Sequence, residues 1–342
     1  MSIETYQKLP GALLAWYAAA HRDLPWRQDR DPYHIWISEI MLQQTRVEAV
    51  KGYYSRFLAA LPTIADLANA ADDQLQKLWE GLGYYSRVRN LKKAACVIMQ
   101  EYQGVFPREY SQVIRLPGIG PYTAGAICSI AFNQPKAAVD GNVLRVITRL
   151  TDDATSIDQP SLRKQISEQL EKVYPSQAGM FTQALMELGA TLCGPNKKPA
   201  CESCPCKGFC LGFAHGTAAQ LPVRKQKPVR RREEKTVFIL SCQGCYGFCK
   251  REESGLLAGL WELPNVPGKL DIKDAISYVE EIGANPKQIF KTVERKHVFT
   301  HIEWDMRGVY VDVGEKIPAL TWEPFETIKD NIALPTAFRQ FL

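Results

Sequence analysis

Leu116-Pro117-Gly118-Ile119-Gly120-Pro121-Tyr122-Thr123-Ala124-Gly125 joins two apolar helical segments. Glycine reaches backbone angles closed to other residues, so Gly118 and Gly120 predict a sharp turn. The helix after it is expected to begin at about Pro121, where a missing N–H costs nothing and the remaining free N–H groups can face an anion. Two readings fit: an ordinary helix–helix turn, or a helix–Gly-x-Gly–helix clamp that grips phosphate without reading sequence. The flanking Leu116-Pro117 and the downstream Asp140 favour the clamp.

Outward from the hairpin the pattern stays helical. Apolar residues recur at three- and four-residue spacing through Ala12–Ala20, Trp36–Val50, Leu75–Leu82 and Leu91–Met99. Pro62, Gly81, Gly83 and Gly104 punctuate them. Val143–Leu150, Leu162–Tyr174 and Phe181–Leu192 continue as helices, and nothing up to there alternates as a strand does. The grammar then changes. Thr236–Ser241 and Gly308–Val313 are β-branched and aromatic, with one helix expected at about Ile272–Glu281 between them. The chain therefore divides into a mostly α part and an α+β part.

The 342 residues suffice for two or three domains. Hydrophobic residues at 46% and charged residues at 23% give an ordinary globular balance. No run approaches the ~18 apolar residues of a membrane span. Met1–Gln7 lacks the basic-then-apolar order of a signal peptide, so a cytoplasmic, reducing location is expected, beside the nucleoid in a bacterium. A net charge of +5 is compatible with nucleic acid without requiring it. The densest basic run is Arg224, Lys225, Lys227, Arg230, Arg231, Arg232 and Lys235. It lies in a Pro-containing stretch, 221–235, read as a linker near phosphate. Of the ten cysteines, Cys193, Cys201, Cys204, Cys206 and Cys210 crowd into residues 193–210. In a reducing compartment such a group is a metal site, and thiolate quartets hold zinc or iron–sulfur.

Two carboxylates stand out. Glu39 lies in the apolar run Ile35-Trp36-Ile37-Ser38-Glu39-Ile40-Met41-Leu42. It is either on the polar face of an amphipathic helix, or buried with a raised pKa and able to act as an acid. Asp140 opens a helix before Gly141 and Asn142, as an N-cap does, and N–H groups there should hold it ionised.

Leu116-Pro117-Gly118-Ile119-Gly120, followed by Val139-Asp140-Gly141-Asn142, resembles the helix-hairpin-helix/Gly-Pro-Asp DNA glycosylase superfamily. Lyase members carry a lysine after the hairpin glycines, where this chain has Tyr122, which cannot form a Schiff base. The chain thus resembles the adenine-specific MutY family. The similarity extends over Leu24-Pro25-Trp26-Arg27, Ser38-Glu39-Ile40-Met41-Leu42-Gln43-Gln44-Thr45 and Trp79-Glu80-Gly81-Leu82-Gly83-Tyr84-Tyr85-Ser86-Arg87. The resemblance implies base excision of adenine mispaired with 8-oxoguanine or guanine in duplex DNA, by a monomer that flips the base out. Glycoside chemistry needs a proton for the leaving group and negative charge near an oxocarbenium-like sugar. The resemblance assigns the proton to Glu39 and the charge, or a transient covalent adduct, to Asp140. It has Asn142 orient water, and Tyr122 bond near both carboxylates. Trp26, Arg27 and Gln183 are implied around the adenine. Gln44, Thr45, Leu82 and Tyr84 are implied on the DNA-gap side, with Gly118 and Gly120 at phosphate.

The resemblance also implies a fold: a mostly α helix-hairpin-helix glycosylase core with an iron–sulfur loop, then an α+β MutT/Nudix-like domain. Its implied bounds are 1–220 for the core (a six-helix module about 27–132, an iron–sulfur module 1–26 and 133–220), 221–235 for the basic linker and 236–342 for the Nudix-like domain. Cys193, Cys201, Cys204 and Cys210 are the implied ligands of a 4Fe–4S cluster. Their gaps of seven, two and five residues exceed the family's six, two and five by one, in a Gly/Pro/Lys loop. Lys197, Lys198 and Lys207 are expected to bring that loop near phosphate. Gly259-Leu260-Trp261-Glu262-Leu263-Pro264 and Val279-Glu280-Glu281-Ile282-Gly283 resemble Nudix fragments, but Ile276 and Ser277 replace the Arg-Glu that hydrolysis needs. Phe299-Thr300-His301 stands where the family has the Phe-Ser-His that reads 8-oxoguanine. Cys242, Cys245 and Cys249 are expected in a β-hairpin, without a fourth ligand. The rival readings are an endonuclease III-like glycosylase/lyase and a DNA-lesion-binding protein without catalysis.

Overall fold

The computed structural model describes residues 3–195, 198–226 and 229–342. Two compact units form: Met1–Ala70 with Arg89–Gln226, and Ala71–Val88 with Lys227–Leu342.

The first unit is all helical. The hairpin's second helix is Pro121–Ile130, starting at the expected proline and buried at every position from Thr123 onward. Gly118 has φ +76, and a Cβ there would fall 2.6 Å from the Asn90 Cβ, so glycine is required twice over. Gly120 corrects the expectation. It caps the helix at φ −96 and ψ 178, which any residue adopts, and nothing lies within 4 Å of where its Cβ would be. Its smallness leaves open space at the helix start.

The apolar pattern across Trp36–Val50 proves to be two helices, Pro32–Met41 and Val47–Ala60. Between them Gln44 takes φ +59 with no Gly or Pro to mark the break. Asp31 caps the first helix by accepting from the Tyr33 N–H at 2.7 Å. A core centred on Leu9, Leu13, Val143, Ile147, Ile166, Phe181 and Leu188 binds the N-terminal helices to Gly141–Thr151, Pro160–Glu171 and Ala178–Thr191. Gly125 presses on residues 137–138, the approach to Asp140: a Cβ there would sit 2.2 Å from the Ala137 carbonyl oxygen. Backbone cannot yield as a side-chain tip can, so Gly125→Ala should destabilise this unit by about 1–3 kcal/mol. Thermal unfolding checks this; an unchanged midpoint would contradict the packing.

The second unit is built on a mixed seven-stranded sheet. Its strands are β1 (Arg231–Cys242), β2 (Cys245–Lys250), β3 (Trp261–Glu262), β4 (Asn265–Pro267), β5 (Pro286–Val298), β6 (Ile302–Val313) and β7 (Thr321–Pro324). The order is β3-β2-β1-β6-β5, with β4 on β1 and β7 on β2. β1 and β6 run parallel; the other pairs are antiparallel. β1 is buried on both faces. Val237 and Ile239 join one core, and Phe238, Leu240 and Cys242 the other, against Ala275 and Val279 of the expected helix Ile272–Glu281. A strand covered on both sides reads as a continuous apolar run, as Val237–Leu240 does.

β1 begins at Arg231, so Arg231, Arg232 and Lys235 of the supposed linker are strand residues, paired in register with Ile302, Glu303 and Met306. Lys227 lies outside the described residues. The expected cysteine hairpin is present: Cys242 and Cys245 face each other across Gln243-Gly244, both at positive φ. In the segment 71–88, helix Asp72–Trp79 packs with this unit: Gln76 donates to the Gly259 carbonyl at 3.2 Å and Lys77 to the Ile332 carbonyl at 3.2 Å. No helix among the described residues is long and apolar enough to cross a membrane.

Candidate active site

Helix Pro32–Met41 carries Glu39 and is buried at eight of its ten positions, from Tyr33 and Ile35 through Met41. It has no polar face for Glu39 to occupy, so Glu39 is a buried carboxyl. Glu39 is 5% exposed. Burial raises its pKa to about 7, aided by the nearby Asp140 and opposed by a hydrogen bond from Tyr122 and by Arg27. The Tyr122 hydroxyl donates to Glu39 Oε2. Burial and the two carboxylates push the phenol well above its ordinary value, so it stays a neutral donor.

Asp140 is the N-cap of Gly141–Thr151. Its Oδ1 accepts from the Val143 N–H at 2.7 Å and its Oδ2 from Asn142 Nδ2 at 2.7 Å. Burial nevertheless outweighs these donors, and its pKa is raised. Desolvation works against the N–H groups expected to hold it ionised and is the larger of the two effects on its pKa. Arg145 orders this corner. Its guanidinium donates to Asn142 Oδ1 at 2.8 Å, to the Gly189 carbonyl at 2.7 Å and to the Cys193 carbonyl at 2.8 Å. Gly189 gives Asn142 room, since a Cβ would come within 2.7 Å of the Asn142 Cβ.

Glu39, Asp140, Tyr122 and Asn142 line one open-mouthed cavity, together with Trp26, Arg27 and Gln183. Thr45 also lines it. Gln44 is exposed in the turn between helices and does not line the cavity. Tyr17 donates to Gln183 Oε1 at 2.6 Å and lies under the Arg27 guanidinium.

Glu187 was missed by the sequence reading. Its side chain is fully buried, accepts from Arg22 at 2.7 and 2.9 Å and from Arg27 at 2.7 Å, and lines the same cavity. Burial pushes its pKa up, but the two guanidiniums reverse that and bring it to about 2. The available signal was its spacing: Glu187 is one helical turn beyond Gln183.

The cysteine loop also folds around a small cavity lined by Cys193, Cys201, Cys204, Cys206 and Cys210 among Val146, Leu150, Leu188 and Leu192. Arg149 donates to Cys193 Sγ at 3.3 Å and to the carbonyls of Cys193 and Gly194. Gly212 lets the following helix close on Arg149: a Cβ would lie 2.4 Å from the Arg149 carbonyl oxygen. Among the described residues no three His, Cys, Asp or Glu side chains close on a single ion. A polynuclear cluster asks for something else: each thiolate binds its own iron, and the sulfurs line a cavity instead of meeting at a point. The donor set fits that demand. Lys207 pairs with Glu202, so part of the loop's expected basic charge is neutralised; Lys198 is exposed and Lys197 lies outside the described residues.

The other expected residues fall in the second unit. Leu82 is buried, and Tyr84 is 45% exposed with φ +47. Phe299, Thr300 and His301 form the tip between β5 and β6, with the Phe299 N–H bonded to the Ile302 carbonyl at 2.8 Å. Phe299 packs edge-on against His297 and Trp304, and the hydroxyls of Tyr84 and Thr300 meet.

A helical hairpin with a capped aspartate at its exit, and a buried glutamate beside it, define the class. Residues 37–176 match the HhH-GPD superfamily of base excision DNA repair proteins, and residues 236–342 match the NUDIX domain. The chain is similar to the adenine DNA glycosylase of Arabidopsis thaliana, 38% identical over 98% of this chain and 64% of that one. It is similar to that of Mus musculus, 34% identical over 96% of this chain and 77% of that one. Among solved structures, a thermostable thymine-DNA glycosylase aligns with a TM-score of 0.57 and 30% identity over 62% of this chain and 98% of its own. The chain belongs to the adenine DNA glycosylase family. It spans just under two thirds of the length of the Arabidopsis relative.

Proposed function

We propose that this protein is a monofunctional glycosylase that removes adenine mispaired with 8-oxoguanine, or with guanine, from duplex DNA. The observation that carries the reading is the pairing of two carboxylates, buried Glu39 and half-buried Asp140, on one cavity whose third member is Tyr122 instead of a lysine. With a pKa of about 7, Glu39 keeps a proton to give to a ring nitrogen of the extruded base. The C1′–N9 bond then breaks and its electron pair leaves with the base. The Asp140 carboxylate faces the cationic sugar, as an electrostatic partner or by forming a bond to C1′. Asn142 orients the water that adds to C1′, and the water's proton returns to a carboxylate. Glu187, held by Arg22 and Arg27, offers oxygens toward the base, with Gln183 one turn away.

Cys193, Cys201, Cys204 and Cys210 would hold a 4Fe–4S cluster, which when bound ties the loop together through its four thiolates. The Phe299–His301 tip, with the hydroxyl of Thr300, would read the 8-oxoguanine. Gly118 and Gly120 would meet phosphate at the start of Pro121–Ile130.

The test is single-turnover adenine release from a duplex with one adenine opposite 8-oxoguanine, with products resolved before and after alkali. Strand breaks only after alkali, and no borohydride-trapped adduct, are expected. Breaks without alkali would favour a glycosylase/lyase, and absence of release from iron-loaded protein would leave a binding function.

A further inference from the structure

The cysteine cavity holds one thiol more than a quartet needs. Cys206 is the most buried of the five, 1% exposed, and its sulfur lines the same space as the other four. Only Pro205 separates it from Cys204, and the two residues line the same cavity. Two short turns fix the pair: the Lys207 N–H bonds to the Cys204 carbonyl at 3.1 Å and the Phe209 N–H to the Cys206 carbonyl at 3.1 Å. The two sulfurs are therefore neighbours on one wall of the cavity, carried by one rigid stretch of backbone. Cys193, Cys201 and Cys210 have no such neighbour one residue away.

We infer that Cys206 is a reserve ligand, able to take the iron that Cys204 would bind, so that this site survives the loss of Cys204. The inference rests on the cofactor reading above. On taking over, Cys206 loses its thiol proton to solvent as its sulfur binds iron, with no change of oxidation state. The bland role for Cys206 is that of a small apolar residue filling the cavity wall. The two roles differ in what they predict when Cys204 is gone.

Full-length protein and the variants Cys204→Ser, Cys204→Ala, Cys206→Val, Cys204→Ser/Cys206→Val and Cys193→Ser are reconstituted anaerobically with ferrous iron and sulfide. Iron and sulfide per chain, and the visible absorbance of the cluster, are measured, with circular dichroism to follow folding. The Cys204 single variants and Cys206→Val should keep most of the wild-type iron. The double variant and Cys193→Ser should lose it by about tenfold or more. If both Cys204 variants lose iron as Cys193→Ser does, or fail to fold, the reserve role is overturned, because a reserve ligand preserves the loaded fold. If Cys206→Val alone loses the iron, Cys206 is a primary ligand and the inference is again overturned. Wild-type protein that takes up no iron would sink the cofactor reading itself, a result separate from these.

Discussion

Glu39→Gln is expected to lower adenine release by at least about a thousandfold while making the folded protein more stable in mild alkali. Both effects follow from one burial. Unfolded, this carboxyl ionises near 4.5; folded, only near 7. Below the lower value both states are protonated and the group contributes nothing to stability. As pH rises between the two values the unfolded chain alone gains from ionisation, so folding is penalised by about 3 kcal/mol once pH exceeds 7. Glutamine keeps the shape and removes the charge. The variant should therefore unfold at higher temperature than wild type at about pH 8, and at the same temperature at about pH 4. Wild-type single-turnover rates should fall as pH rises through about 7, when the acid loses its proton. A flat rate profile there, or equal stability at both pH values, would remove Glu39 from the role of acid.

The second large effect concerns Glu187. Glu187→Gln removes the charge that neutralises Arg22 and Arg27, whose side chains are 36% and 11% exposed. A buried guanidinium left without its carboxylate is costly, and Arg27 is nearly sealed. Solvent at Arg22 moderates the loss, which should be roughly 3 kcal/mol at neutral pH. The pH dependence is opposite in sign to that of Glu39. The folded pKa of Glu187 lies near 2, below its ordinary 4.5, so its contribution is complete above 4.5 and is lost as pH falls toward 2. Wild type and variant should converge in acid. Thermal melts across that range check this, and binding of duplex carrying the mispair should weaken in the variant because an NH2 replaces one acceptor oxygen and the charge that orders Arg22 and Arg27 is gone. A variant as stable as wild type at neutral pH would mean that water, not Glu187, compensates the two arginines.

The hairpin was legible because its information is local: two glycines, a proline and flanking apolar helices fix it almost without context. Asp140 as an N-cap was legible for the same reason. Its raised pKa was not, because the dehydration comes from segments remote in sequence. Glu39 was ambiguous since an all-buried helix offers no contrast between polar and apolar faces. Gln44 hid the break between two helices by taking a left-handed conformation without a glycine. Glu187 escaped because its meaning depends on Arg22 and Arg27, about 160 residues away along the chain. Gly120 was over-read: its absent side chain matters as open space, not as backbone freedom. In the C-terminal part the strands Thr236–Ser241 and Gly308–Val313 were short fragments of β1 and β6. Their basic and acidic ends are held by parallel pairing that no local pattern announces.

The segment 71–88 has a practical bearing on any attempt to shorten this chain. It lies inside the stretch that codes for the helical unit, yet its helix Asp72–Trp79 finds the Gly259 and Ile332 carbonyls, and Leu334 donates to Glu80 at 2.9 Å. Deleting everything after residue 226 is therefore not a subtraction. The shortened protein keeps a helix whose Gln76, Lys77 and Glu80 partners have gone. Grafting the C-terminal unit onto another scaffold carries the same debt, and a faithful transplant moves both pieces of chain together.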